Sequence, residues 1–127
     1  MTPEHRLQNE IRNVLAGRGL FFRANVGTGW TGGAVQQMPA KTVIITEARP
    51  FSTGLPKGFS DLFGITPVVI TPEMVGQTVG VFTALEVKTE TGRVSKLQRA
   101  FLDAVIAAGG RAAVVRSVTD ALRAVET

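Results

Sequence analysis

Two acidic side chains and one lysine occupy the positions where this sequence could carry out chemistry. Glu86 and Lys88 lie two residues apart in Leu85-Glu-Val-Lys-Thr, at the end of an apolar run. In a β-strand, positions i and i+2 point to the same face, so a carboxylate and an ammonium would lie side by side. Asp61 opens a second short apolar run that also predicts a strand. An acid on one strand, beside an acid and a lysine on another, is typical of metal-dependent cleavage of phosphodiester bonds.

The burial of this pair matters because charges on a half-buried strand are costly unless they are paired or bind a metal. The alternation of residues predicts that Leu85 and Val87 are packed beneath Glu86 and Lys88. We therefore expect the charged face to be the open one.

The N-terminal residues predict a helix. Thr2 followed by Pro3 is a typical helix start, and apolar residues then recur at helical spacing, at Leu7, Ile11, Val14 and Leu15. Glu4 falls within about 20° of Ile11 around this helix, on the inward stripe. It is either a metal ligand or an ordinary first-turn acid favoured by the helix dipole.

The middle of the chain alternates between predicted strands and loops. Residues 20–26 and 42–46 have the composition of strands, whereas residues 27–33 are rich in glycine and predict a flexible turn. Residues 49–57 contain two prolines and a glycine and predict a loop. The single tryptophan, Trp30, either packs in a core or dimer contact or stacks on branched DNA.

The C-terminal part predicts strand, helix, strand and helix. Residues 78–88 form the longest strand candidate. Ser95 and Gln98 have the spacing of a capping box, which begins a helix. The apolar face of this helix is expected to contain Leu97, Phe101, Val105 and Ala108. A strand over 111–116 and a last helix capped by Ser117 follow, so the chain is an α/β protein with helices against a sheet.

Length and composition limit the function classes. A chain of 127 residues predicts one domain, residues 1–127. The net charge of +4 suits a polyanionic partner. The absence of cysteine excludes disulfides and cysteine-based zinc sites, and the sole histidine excludes a site of several histidines. No apolar run reaches the ~18–20 residues that span a membrane, so we expect a cytoplasmic protein, in a bacterium or a phage-infected host cell.

The ordered series of motifs resembles the virus-type replication–repair nuclease family, VRR-NUC, of the PD-(D/E)XK nuclease superfamily. The series consists of the segments 4–8, 23–29, 58–61, 85–95, 98–102 and 109–117, and so covers nearly the whole chain. The family usually has proline before its first acid, where this chain has Ser60. Because the acid is kept, this departure changes little chemically.

The resemblance implies a restriction-endonuclease-like PD-(D/E)XK core, with a mixed central sheet flanked by helices in the order αβββαβ. It implies an endonuclease that hydrolyses DNA with Mg²⁺ or Mn²⁺, structure-specific for branched or Holliday-junction-like DNA, of phage type and homodimeric. Carried over to this sequence, Asp61 and Glu86 are metal ligands with the Val87 carbonyl, and Lys88 is the catalytic lysine. Glu4 matches the acid of the family's first helix, and Gln98 matches its helix glutamine.

The chemistry expected of these groups follows from their charges. Carboxylate and carbonyl oxygens suit Mg²⁺ or Mn²⁺. We expect Lys88, as a cation, to orient the nucleophile and stabilise the phosphate rather than act as a base. Gln98 either positions water or phosphate or serves only as a capping residue. Candidate DNA contacts, each also explicable as a solvated polar side chain, are Arg23, Asn25, Lys57, Arg93, Lys96, Arg99 and Arg116.

Two other functions are compatible with the same sequence. A DNA-binding module that has kept the nuclease fold without its activity would bind DNA but not cleave it. A structural or dimerisation protein of a phage would use Glu86 and Lys88 only as a surface ion pair. Clustered acids facing phosphates have no purpose in a site that only binds DNA, which favours the nuclease.

Overall fold

The computed structural model describes residues 1–126 as a mixed α/β protein with three helices and eight short strands. The helices are α1 (Pro3–Leu15), α2 (Lys96–Ala107) and α3 (Val118–Val125), and a short 3-10 turn spans Pro72–Met74. The strands are β1 (Leu20–Arg23), β2 (Thr28–Thr31), β3 (Ala34–Met38), β4 (Thr42–Thr46), β5 (Arg49–Ser52), β6 (Leu62–Ile65), β7 (Thr83–Val87) and β8 (Arg111–Val115). None of the helices in these 126 residues is long and apolar enough to cross a membrane.

The strands of the described chain pair two by two, as β1–β6, β2–β5, β3–β4 and β7–β8. The helices and strands confirm the α/β class. The described strands form four two-stranded sheets, and the expected single mixed sheet of the αβββαβ arrangement is not among them. The described chain divides into two compact units: the first unit comprises residues 1–22 and 64–126, and the second unit comprises Arg23–Phe63. The expected single domain over residues 1–127 stays a prediction.

The second unit contains a two-stranded antiparallel ribbon that the sequence did not predict in full. Strands β2 and β5 pair from Thr28↔Ser52 to Thr31↔Arg49, and β3 and β4 continue in the same register. The predictions of a flexible turn over residues 27–33 and of a loop over residues 49–57 were therefore wrong where β2 and β5 lie. A Cβ on Gly29 would lie 2.8 Å from the Phe51 ring, so glycine here makes room for that ring across the strand pair.

The apolar side chains of this ribbon remain open to solvent. Trp30 lies opposite Pro50 and is 64% exposed, so the tryptophan is not packed in a core. A proline is tolerated at this position because each strand of a two-stranded ribbon has a free edge. The turn that closes the ribbon has positive φ at Ala40 and Lys41, +62° and +55°, which matches the right-handed twist of tight hairpins.

The first unit is built around a parallel pair of strands joined by a helix. Strands β7 and β8 pair from Thr83↔Arg111 to Val87↔Val115, and α2 connects them and packs on both. Ser117 caps α3, since its hydroxyl accepts a hydrogen bond from the Asp120 N–H at 3.0 Å. Helix α1 begins as predicted, with the Thr2 hydroxyl accepting from the His5 N–H at 3.1 Å, but none of its residues is buried.

The buried face of α2 differs in part from the predicted one, since the predicted Val105 lies on it and Leu97 and Phe101 are exposed. Leu102 is 2% exposed and Val105 is fully buried, whereas Leu97 is 84% exposed. The inward stripe therefore runs through Gln98, Leu102 and Val105, at i, i+4 and i+7, a spacing that keeps one helix face against the strands. The prediction that Leu97 lies on this face was wrong. Leu97 precedes Gln98 directly, and adjacent residues point about 100° apart around a helix.

We expect Leu102→Ala to lower the free energy of unfolding by about 2–5 kcal/mol, because it leaves a cavity between α2 and the strands. The matched substitution on the same helix is Leu97→Ala, where the side chain is exposed. Its expected effect is within about 0.5 kcal/mol. Urea unfolding of both variants measures the difference, and equal losses would contradict the observed orientation of α2.

Candidate active site

Glu86 of β7 and Lys88, directly after this strand, lie on the half-buried face rather than the open one. Their side chains are 28% and 22% exposed, while Leu85 and Val87 are 38% and 75% exposed. The expectation that Leu85 and Val87 lie packed beneath the charged pair was therefore wrong. The reason is α2, whose first turn covers the Glu86 side of the strand through Gln98.

Glu86 and Lys88 form an ion pair, as their spacing predicted. The Lys88 Nζ lies 3.5 Å from Glu86 Oε1. Because both side chains are mostly shielded from solvent, their attraction is screened less than that of a fully exposed pair. The pair fixes an ammonium beside a carboxylate, which is the first requirement of the proposed chemistry.

Gln98 joins this pair and at the same time completes the cap of α2. Its side-chain oxygen accepts from the Ser95 N–H at 2.9 Å, and its own N–H donates to the Ser95 hydroxyl at 3.1 Å. Its amide nitrogen Nε2 donates to Glu86 Oε1 at 2.8 Å. Since the cap occupies the amide oxygen, the NH₂ end faces the carboxylate. The structure thus shows the capping role and, with it, a contact to Glu86.

The two oxygens of Glu86 are used differently. Oε1 receives both the Gln98 amide and the Lys88 ammonium. Within residues 1–126, Oε2 has no hydrogen-bond donor. A carboxylate held at one oxygen and open at the other is oriented and still available to a ligand.

The other two predicted acids, Asp61 and Glu4, are both exposed. Asp61 belongs to the second unit, is exposed, and is held through its backbone, whose carbonyl accepts from the Ala24 N–H at 2.9 Å. Glu4 lies exposed in the first turn of α1. Across residues 1–126, no three acidic, histidine or cysteine side chains form a group that could hold a metal ion.

The donor atoms present nevertheless have the chemistry of a magnesium or manganese site. Carboxylate and backbone carbonyl oxygens are the ligands that these ions prefer, and Glu86 Oε2 is open to one. Asp61, Glu86, Val87 and Glu4 would hold such an ion, which would lower the pKa of a bound water and neutralise charge on a phosphate. These ligand assignments stay predictions.

The basic residues predicted to contact DNA fall into three groups. Arg93, in the connection from β7 to α2, and Lys96 and Arg99, in the first turn of α2, are exposed and close in sequence to Gln98. Arg23, Asn25 and Lys57 are exposed in the second unit. Arg116 differs from all of these, because its guanidinium donates to backbone carbonyls of the turn after Lys88. Nothing in the sequence signalled this contact.

The comparisons with known proteins agree with the motifs. The VRR-NUC domain family matches residues 3–119. The chain belongs to the VRR-NUC family. This family is part of the PD-(D/E)XK nuclease superfamily, so the chain carries a nuclease-type domain. No curated protein and no solved structure gives a significant match.

The family match includes every residue assigned to the site. Glu86, Lys88 and Gln98 come together in this VRR-NUC domain, and Asp61 and Glu4 lie within the matched range as well. Two cavities of the first unit are lined by other residues and contain none of those assigned to the site. One of about 590 Å³ lies between α1 and β1, and one of about 380 Å³ lies beside the C-terminal end of α2.

Proposed function

We propose that this VRR-NUC domain is a metal-dependent endonuclease that hydrolyses phosphodiester bonds of DNA. The observation that supports this most directly is the Glu86 carboxylate, held at Oε1 by Gln98 and Lys88 and open at Oε2. Such a carboxylate suits a divalent cation, and the neighbouring ammonium suits a scissile phosphate.

In this proposal each group of the site has a separate role. Asp61 and Glu86, with the Val87 carbonyl and Glu4, bind Mg²⁺ or Mn²⁺. Lys88 orients the attacking water and stabilises negative charge on the phosphate. Gln98 holds Glu86 in place. The exposed basic residues Arg93, Lys96 and Arg99 bind the flanking phosphates, as do the polar and basic residues of the second unit.

The substrate proposed is branched DNA such as a four-way junction, cut by a homodimer of phage replication–repair type. A two-fold symmetric enzyme matches a two-fold symmetric junction, and a single chain of this size has a small footprint on DNA. Sedimentation at micromolar concentration tests the dimer, and a chain that stays monomeric there contradicts it.

A substrate panel tests the proposal as a whole. The protein is incubated with a four-way junction, a flap, a duplex and single strands, with Mg²⁺, with Mn²⁺ and with a chelator. We expect cleavage only with a divalent ion, and we expect Asp61→Ala to lose cleavage while it still binds DNA. Cleavage in the chelator would contradict the metal dependence.

A second candidate function is a DNA-binding module without catalysis. The net charge of +4 suits DNA binding with or without catalysis. Binding to the same substrates without cleavage under any metal would establish this function instead.

A further inference from the structure

Arg116, the residue after β8, directs its charge at the protein's own backbone. Its Nη1 lies 2.7 Å from the carbonyl oxygens of Thr89 and Gly92 and 3.4 Å from that of Glu90. A guanidinium is a donor only and remains charged, so it suits a cluster of carbonyl oxygens. Within residues 1–126 no carboxylate lies in salt-bridge range of this guanidinium.

The turn that Arg116 holds lies against the stem of Lys88. The Gly92 N–H donates to the Thr89 carbonyl at 3.1 Å, which closes a tight turn over residues 89–92. A Cβ on Gly92 would lie 3.5 Å from Lys88 Cβ. This is an ordinary van der Waals distance, so the turn passes directly beside the base of the Lys88 side chain.

The same end of β8 also holds the backbone of Lys88. The Lys88 N–H donates to the Val115 carbonyl at 3.1 Å, and Val115 is 4% exposed. The amide of Lys88 is thus held by Val115 of β8, and the turn after Lys88 is held by Arg116, which follows Val115. Arg116 in turn is anchored through its own N–H, which donates to Asp120 Oδ2 at 2.9 Å.

We infer that Arg116 is a positioning residue of this site, which holds the 89–92 turn against Lys88 and so keeps the ammonium beside Glu86. The inference rests on the proposed role of Lys88 in catalysis. It assigns to Arg116 a function beyond the predicted phosphate contact, because its Nη1 is engaged by carbonyl groups of the turn.

The reactivity of Lys88 tests this inference without any DNA. The 127-residue chain is labelled with a trace amount of an amine-acylating reagent, and the acylation of each lysine is quantified by mass spectrometry relative to the exposed Lys57. In Arg116→Ala we expect the acylation rate of Lys88 to rise about tenfold. The reason is that the turn beside Lys88 loses the charge-assisted hydrogen bonds that hold it. Arg116→Lys keeps the charge and donors and should remain close to the unmodified protein.

Arg111→Ala is the matched control. It removes an arginine from the same strand, whose Nη1 donates to the Val125 carbonyl at 2.8 Å, and should leave the Lys88 rate unchanged. An unchanged rate in folded Arg116→Ala, or an equal rise in Arg111→Ala, would overturn the inference. If Arg116→Ala does not fold, Arg116→Gln replaces it, because glutamine keeps an N–H donor and loses the charge: a Lys88 rate equal to that of the unmodified protein would overturn the inference.

Kinetics separate this inference from the proposed function. A positioning role predicts that Arg116→Ala lowers kcat with KM for DNA little changed, whereas a phosphate contact predicts a raised KM. If the unmodified protein cleaves no DNA, the proposed function fails, and the labelling experiment still decides whether Arg116 positions Lys88.

Discussion

Glu86→Gln is expected to lower kcat for DNA cleavage about a thousandfold, the rate equivalent of several kcal/mol of lost charge stabilisation by a metal ion. The substitution preserves shape, but it replaces the carboxylate oxygen that is open to a cation. DNA binding should be kept or become tighter, since one negative charge near the phosphates is removed. Single-turnover cleavage and fluorescence anisotropy with the same labelled substrate measure the two effects.

The control for this substitution is Glu10→Gln. Glu10 is an exposed acid of α1, and no hydrogen bond or ion pair of its side chain occurs within residues 1–126. The change in charge and shape is identical, so activity should stay within about twofold, as expected for an uninvolved surface site. Comparable losses in both variants would mean that general charge, rather than the position of Glu86, governs cleavage.

Lys88→Met is expected to lower kcat by about a hundredfold or more, the usual loss when one group that stabilises transition-state charge is removed. Methionine keeps an apolar stem of similar length and removes the ammonium 3.5 Å from Glu86. Stability should change by less than about 1 kcal/mol, since a partly exposed ion pair contributes little. Thermal unfolding and single-turnover kinetics measure both quantities on one preparation.

Lys41→Met controls for the loss of a positive charge, because Lys41 lies in the exposed turn between β3 and β4. We expect Lys41→Met to leave kcat unchanged, with any effect confined to the affinity for DNA. A Lys88→Met variant that cleaves as fast as the unmodified protein, with the same metal dependence, would remove Lys88 from the mechanism. The Glu86–Lys88 pair would then be structural only.

The sequence alone determined the features whose signals lie within three or four residues. The caps of the three helices at Thr2, Ser95 and Ser117 depend on a hydroxyl and the N–H three residues on, so they could be predicted from spacing. The shared face of Glu86 and Lys88 follows from strand geometry in the same way. The family could also be recognised from its ordered motifs, now matched over residues 3–119.

The tertiary structure decided which side of each element is covered. The apolar pattern of α2 allowed either Leu97 or Leu102 to face the strands, and packing on β7 and β8 buried Leu102. That choice turned Gln98 toward Glu86 and made the Glu86 side of β7 the covered face. The strands at 28–31 and 49–52 were missed for a related reason, because their hydrogen-bond partners lie some twenty residues away.

Arg116 shows most clearly what only the fold could determine. Its guanidinium meets carbonyl groups 24 to 27 residues earlier in the chain, and the sequence contains no pattern that links the two segments. They meet because β7 and β8 run parallel and end at the same edge, with Val87 opposite Val115. Local spacing therefore supplied the chemical groups of this site, and the parallel pairing of two distant strands determined what holds them in place.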